Sequence, residues 1–225
     1  MTRRATLVAI DGPAGSGKST VAARLAERLG VPHIDTGAFY RAATLLALRV
    51  GVDLRDGAAC AALLAGASIS RRDGRTRIDG EDVEDAIRGP AVTAAVSTVS
   101  AHPAVRAALL DVQRAGIGLA GAVVEGRDAG TVVVPDAPLK VWLTASPAER
   151  AGRRAAQLGE RDPEVVAAHA EAIARRDAAD AARMVKAPDA VVVDTTGRDV
   201  DSLVDDLLTL AERHRPPVAD TAEDP

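Results

Sequence analysis

Short apolar runs alternate along this chain with stretches whose apolar residues recur every three or four positions. Thr6-Leu7-Val8-Ala9-Ile10 is the first such run. An apolar run of this length, without polar alternation, marks a strand buried on both faces. Directly behind it, over residues 18–29, Val21, Leu25 and Leu29 fall at helical spacing. The same two patterns predict strands over 31–34, 122–125, 139–144 and 190–194. They predict helices over 36–50, 90–101, 103–119, 147–158, 163–177 and 200–214, with Pro147 and Pro163 at the starts of two of them. Proline suits a helix's first turn, where its missing N–H has no partner to lose. Alternating strands and helices predict an α/β fold, a central parallel sheet between two layers of helices.

Between residues 67 and 84 the pattern changes. Ala67-Ser68-Ile69-Ser70 and Thr76-Arg77-Ile78-Asp79 alternate polar and apolar, and Asp73-Gly74 lies between them. Asp-Gly favours a two-residue turn, so this reads as a hairpin with one exposed face. It is a small antiparallel insertion in an otherwise α/β chain. No internal repeat is present. From Arg213 the chain turns rich in Pro, Asp and Glu, and residues 216–225 are expected to be a disordered tail.

With 225 residues, 47% of them hydrophobic and 27% charged, the chain can bury the core of one domain with an insertion. Aromatic residues make up only 1%, so Ala, Val, Leu and Ile must build that core. So few rings also make a poor stacking platform for single-stranded nucleic acid. The net charge of −4 gives no general attraction to nucleic acid or anionic membranes, so any cationic site must be local. No stretch approaches the roughly 18 continuous apolar residues of a membrane span. Met1-Thr2-Arg3-Arg4 leads straight into the first strand, not into a signal-peptide apolar region. The lone Cys60 reads as a small side chain on an Ala-rich helix and suits a reducing compartment. A cytoplasmic monomer is the expectation.

Gly12-Pro13-Ala14-Gly15-Ser16-Gly17-Lys18-Ser19 fits G-x-x-x-x-G-K-[ST], between a predicted strand and a predicted helix. Glycines let the backbone curl until several N–H groups point at one anion, and the helix N-terminus adds partial positive charge. The loop, continued to Thr20, reads as the seat of a nucleoside triphosphate, with Lys18 reaching its β- and γ-phosphates and Ser19 holding Mg²⁺.

Further charged segments follow other strands. Asp35-Thr36-Gly37-Ala38-Phe39-Tyr40-Arg41 begins a helix, which Thr36 could cap. Glu125-Gly126-Arg127-Asp128 ends an apolar strand, on the edge where parallel sheets bind ligands, and Glu125 is the candidate acidic partner of Mg²⁺. Arg150, Arg153 and Arg154 share one helix face, either a solvated basic face or a lid over phosphates. Arg176, Asp180 and Arg183 share another, either a surface ion-pair ladder or part of an anion site.

Taken in order, these segments resemble bacterial cytidylate kinases of the P-loop nucleoside monophosphate kinase family, over about residues 6–214. Glu125-Gly126-Arg127-Asp128-Ala129-Gly130-Thr131, Leu143-Thr144-Ala145-Ser146 and Asp194-Thr195-Thr196 belong to the likeness, as does the inserted hairpin. The resemblance implies one kinase domain over 1–215, with a monophosphate-binding insertion over about 63–105 and a helical lid over about 147–183. It implies transfer of the γ-phosphoryl group of ATP to CMP or dCMP, with Mg²⁺. Arg41, Arg127 and Arg183 would clamp the monophosphate; Ser97, Arg106 and Asp128 would read the cytosine edge. Arg176 and Asp180 would address the sugar, Thr36 would lie beside the nucleotide, and Arg153 and Arg154 would close over the triphosphate. Two departures stand out: Phe39 where the family often has Met or Ile, and a shorter link over residues 183–190.

The competing readings are another P-loop small-molecule kinase, acting on UMP, AMP or shikimate, and a GTP-binding switch. The insertion and Glu125-Gly126-Arg127-Asp128 argue against the first. The second needs an Asn/Thr-Lys-x-Asp guanine-reading motif, which the chain lacks.

Overall fold

A computed structural model describes residues 6–214. The tail expected to be disordered, 216–225, lies outside the described residues. In chain order, β1 (Thr6–Asp11), α1 (Lys18–Leu29), β2 (His33–Asp35) and α2 (Thr36–Val50) come first. They are followed by α3 (Gly57–Ala65) and three short strands, β3 (Ile69–Arg72), β4 (Arg75–Ile78) and β5 (Glu81–Asp82). Next come α4 (Pro90–Ser100), α5 (Pro103–Arg114), β6 (Gly121–Gly126) and β7 (Leu139–Thr144). The chain closes with α6 (Pro147–Gln157), α7 (Pro163–Asp180), β8 (Val191–Asp194) and α8 (Val200–Arg213).

The five strands β2-β6-β1-β7-β8 form one parallel sheet in that order. Both faces are covered, as the apolar runs require. Val8, Ile10, Val123, Val141 and Leu143 pack on one face against Val21 and Leu25 of α1 and Leu203 and Leu207 of α8. Ala9, Ala122 and Val124 turn to the other face, against Ala38 and Ala42 of α2 and Leu109 of α5. β3, β4 and β5 make the separate antiparallel sheet. Asp73 and Gly74 both take positive φ, 52° and 72°, the geometry an Asp-Gly turn supplies.

Because the strands are parallel, their carboxyl ends share one edge. β1 has β6 on one side and β7 on the other, and the chain's crossovers diverge there. A crevice opens at such a divergence. It gathers the segments that follow β1, β2, β6 and β7, the four that carry the chemistry read from the sequence.

Several elements differ from expectation for local reasons. β2 starts at His33, not residue 31, because the Val31 N–H closes α1 onto Ala26 O and Pro32 has no N–H. α5 stops at Arg114, not residue 119. Gly116 follows, lying so close to Ile34 that a Cβ would sit 2.6 Å from its Cδ1. α7 runs on to Asp180, and the hairpin strands are displaced by one or two residues. α3 matches the Ala-rich helix read around Cys60, while β5 and a π-turn at Ala129–Val133 had no clear sequence signal.

Leu207 on α8 is fully buried against α1 and the sheet. Leu207→Ala is expected to cost about 2–5 kcal/mol of stability, read from the urea midpoint at unchanged m-value.

Candidate active site

The loop between β1 and α1 depends on glycine. At Gly12, φ is +150° and a Cβ would lie 2.2 Å from the Leu143 carbonyl oxygen, so no other residue fits. Gly17, with φ of 88°, caps α1. The N–H groups of Gly15, Gly17, Lys18 and Ser19 have no acceptor among the described residues. Orphan amides at a helix N-terminus are the donors a phosphate takes. Lys18 is buried, and its Nζ donates to Pro13 O at 2.6 Å, with Ser16 Oγ at 3.4 Å. Burial and the nearby Arg127 lower its pKa to about 7, against the opposing pull of Glu125 and Asp11. The loop from Ala14 to Thr20 lines a cavity of about 770 Å³, together with Arg41, Arg153, Arg154, Arg176 and Thr195. Gly12 and Pro13 support the loop from behind and do not line it.

Ser19 Oγ donates to Glu125 Oε2 at 2.9 Å. The other carboxylate oxygen lies 3.0 Å from His33 Nε2, and Thr36 Oγ1 donates to the Glu125 backbone carbonyl at 2.7 Å. One hydroxyl and one carboxylate beside a phosphate loop fit Mg²⁺, which takes few protein ligands and completes its shell with phosphate and water. Among the described residues, no cluster of three His, Cys, Asp or Glu side chains offers a site built from protein alone. Thr36 does not cap α2; Asp35 does, accepting from the Ala38 N–H at 3.0 Å. Burial would raise the Asp35 carboxyl, but the Arg88 guanidinium, 2.8 Å away, holds it below the usual range.

A second, smaller cavity of about 70 Å³ adjoins the first and brings together Thr36, Ser97, Arg106, Arg127, Asp128, Arg176, Asp180 and Arg183. Arg176 lines both cavities. Arg127 donates to Gly12 O and to Asp180 Oδ2, each at 3.3 Å. Asp180 also accepts from Arg183 at 2.7 Å, with Arg176 Nε 3.9 Å away. Arg106 pairs with Asp128 and lies 5.4 Å over the Tyr40 ring. Burial raises the Asp128 carboxyl, although Arg106 pulls the other way. Arg41 stands in the wall of the larger cavity, donating to Ile87 O at 2.9 Å and Thr93 Oγ1 at 3.0 Å. Burial and Arg176 lower its pKa to about 10. Arg183, where the link over residues 183–190 begins, lines this pocket.

The three arginines of α6 do not act alike. Arg150 turns to the loop, pairing with Asp177 and donating to Ala14 O at 3.0 Å, while Asp177 accepts from the Ala14 N–H at 3.0 Å. The expected shared basic face is therefore broken at Arg150. Arg153 donates to Glu149 and to the hydroxyl and carbonyl of Thr195. Arg154 lines the large cavity and makes no ion pair among the described residues.

With this geometry in place, the chain can be set beside known proteins. The cytidylate kinase profile matches residues 8–213. The chain belongs to the cytidylate kinase family. It is 47% identical over 220 residues to a cytidylate kinase of Symbiobacterium thermophilum, spanning 93% of this chain and 97% of that one. It is 49% identical over 218 residues to a cytidylate kinase of Rhodococcus jostii, spanning 92% and 95%. In fold it is similar to an uncharacterized protein from Eubacterium ventriosum, at a TM-score of 0.50 and 13% identity over 92% of this chain and 98% of that one. No helix among the described residues is long and apolar enough to cross a membrane.

Sequence reasoning missed His33, which carries no signal in a three-residue strand, and Asp177, which sat unremarked between two chosen residues. It also missed Asp11. A charge closing an apolar strand next to the loop was the available signal. Asp11 is buried, and burial raises its pKa from 3.8 to about 6, although the amides of Gly130 and Ala129 pull it down. Asp128 raises it further and Lys18 lowers it. A carboxyl with a raised folded pKa loses stability as pH climbs from the unfolded value to the folded one. At about 1.4 kcal/mol per pH unit the cost above pH 6 is on the order of 3 kcal/mol. Asp11→Asn, which does not ionise, is expected to gain stability relative to the native chain between pH 4 and 6. Urea unfolding at pH 4, 5, 6 and 7 reads the gap, and a gap that does not widen refutes the assignment.

Proposed function

We propose that the chain transfers the γ-phosphoryl group of ATP to CMP or dCMP, giving ADP and CDP or dCDP, in pyrimidine nucleotide metabolism. The observation that carries this reading is the adjacency of the two cavities, which share Arg176. The larger holds the triphosphate: the loop amides and Lys18 take its phosphates, and Arg153 and Arg154 cover them. Ser19 and Glu125 would hold Mg²⁺, which when bound neutralises charge on the β- and γ-oxygens. The smaller holds the acceptor, with Arg127 and Arg183 around its phosphate, and Arg41 faces that phosphate from the wall of the larger cavity.

The acceptor phosphate is already an anion at neutral pH, so no strong general base is required. The barrier lies in bringing two polyanions together in line, which fixed guanidinium groups overcome by charge and position. Arginine suits this because its planar fork grips phosphate and stays charged. Asp128 accepts from the exocyclic amino group of cytosine, while Arg106 donates to the ring acceptors beside it. Uracil offers a carbonyl in place of that amino group, which faces Asp128 unfavourably. Asp180 and Arg176 address the sugar, and Ser97 lies at the base end. A cavity of about 70 Å³ falls below the roughly 300 Å³ of ordinary ligand sites, so the insertion and α7 must part for CMP to enter. The monophosphate-binding insertion, about 63–105, and the lid, about 147–183, are the segments assigned that motion.

Three measurements test the reading. Lys18→Ala is expected to abolish CMP-dependent ADP release, and near-normal turnover refutes the mechanism. Arg127→Ala should raise the CMP KM at least tenfold while ATP affinity measured alone changes less than threefold; equal losses remove Arg127 from the acceptor side. Turnover with CMP, dCMP, UMP and AMP side by side should show kcat/KM for CMP or dCMP at least a hundredfold above UMP and AMP.

A further inference from the structure

Asp11 is a buried carboxylate to which the phosphoryl-transfer chemistry gives no task. It is the last residue of β1, and Gly12 of the phosphate loop follows it directly. Its two oxygens accept from two consecutive backbone amides, Ala129 N at 2.7 Å on Oδ1 and Gly130 N at 2.7 Å on Oδ2. Those amides begin the π-turn immediately after Arg127 and Asp128. One residue after Asp11 and two residues before Ala129, the Gly12 carbonyl accepts from Arg127 at 3.3 Å. The loop that holds the donor and the segment that presents the acceptor's arginine are thus tied twice across the β1–β6 pair. One of those ties is a bidentate carboxylate.

A neutral side chain could satisfy only one of the two amides without presenting a donor to the other, since a side-chain amide offers one acceptor and one donor group. Burying the charge costs stability, and the two amide hydrogen bonds offset part of that cost. The segment it holds is irregular. Asp128 has φ −149° and ψ 28°, outside helix and strand, so no ladder of hydrogen bonds fixes the direction of Arg127 and Asp128. Asp11 supplies that anchor.

We propose that Asp11 is a positioning residue, whose carboxylate fixes the turn after β6 and so aims Arg127 and Asp128 at the acceptor nucleotide from the base of the donor loop. The proposal rests on the reading of the smaller cavity as the CMP site.

The test is binding calorimetry on the full chain with each nucleotide alone. Asp11→Asn is expected to weaken CMP binding at least tenfold and ATP binding less than threefold. In an Arg127→Ala background the same substitution should weaken CMP binding by less than half that factor, because its route through Arg127 is gone. Unchanged CMP affinity overturns the proposal, as does an equal loss of ATP affinity, which is the result of mere structural damage. An Asp11→Asn effect undiminished in the Arg127→Ala background overturns it too. If Asp11→Asn fails to fold, amide exchange in the native chain decides: Ala129 and Gly130 must be protected by more than a hundredfold, and free exchange at either refutes the anchor. Failure of the native chain to bind CMP at all contradicts instead the reading of the cavity.

Discussion

Positive charge crowded into one cleft is the constraint on which the rest of this structure depends. Lys18, Arg41, Arg127, Arg153, Arg154, Arg176 and Arg183 line two adjoining cavities. Guanidinium and ammonium groups so close, and so far from bulk water, repel one another strongly. Burial first, and the neighbouring arginines after it, lower the Lys18 pKa to about 7 and push Arg41 and Arg176 down. The protein answers with its own carboxylates. Asp180 accepts from Arg127 and Arg183, Asp128 pairs with Arg106, Asp177 with Arg150, and Glu149 with Arg153. On the proposed function, substrate phosphates would replace these carboxylates as partners of the same cations.

That exchange accounts for the contrast between the two cavities. The donor cavity stands open because its floor is backbone amide and a lysine that can rest on its own loop carbonyl. The acceptor cavity is nearly filled, because its side chains are long, opposite in charge and able to reach one another. Its residues come from the start of α2, from α4 and α5, from the segment after β6, and from the end of α7 and just beyond. On the proposed function, admitting a nucleotide would require those elements to separate, and their closure would keep out water, the competing phosphoryl acceptor.

The scaffold makes this possible with almost no aromatic residues. A sheet faced by Ala, Val, Leu and Ile lets α1 and α2 approach closely, and both begin at the catalytic edge. Asp35 links that edge to the insertion by capping α2 through one oxygen and binding Arg88 through the other. The α6–α7 segment is joined to the loop at Ala14, whose N–H and carbonyl are held by Asp177 and Arg150. The loop, the turn after β6, the insertion and the α6–α7 segment are therefore linked by short polar ties, to which the insertion and the turn after β6 add an apolar core shared with the sheet.

What the sequence by itself determined is local or periodic. Apolar runs and helical spacing placed every strand of the parallel sheet and most helices, because burial on two faces and 3.6-residue periodicity are written residue by residue. The phosphate loop was legible because its backbone geometry requires glycine at set intervals. Resemblance then grouped Ser97, Arg106, Asp128 and Arg183, which are scattered over nearly 90 residues, before any contact was known. Only the tertiary structure decided the pairings. Thr36 gave up the cap to Asp35, Arg150 left its neighbours for Asp177, and His33 and Asp11 emerged as partners of Glu125 and of the turn after β6. Ion pairs and buried carboxylates depend on which charges end up a few ångströms apart across the sheet edge, and spacing along the chain carries no record of that distance.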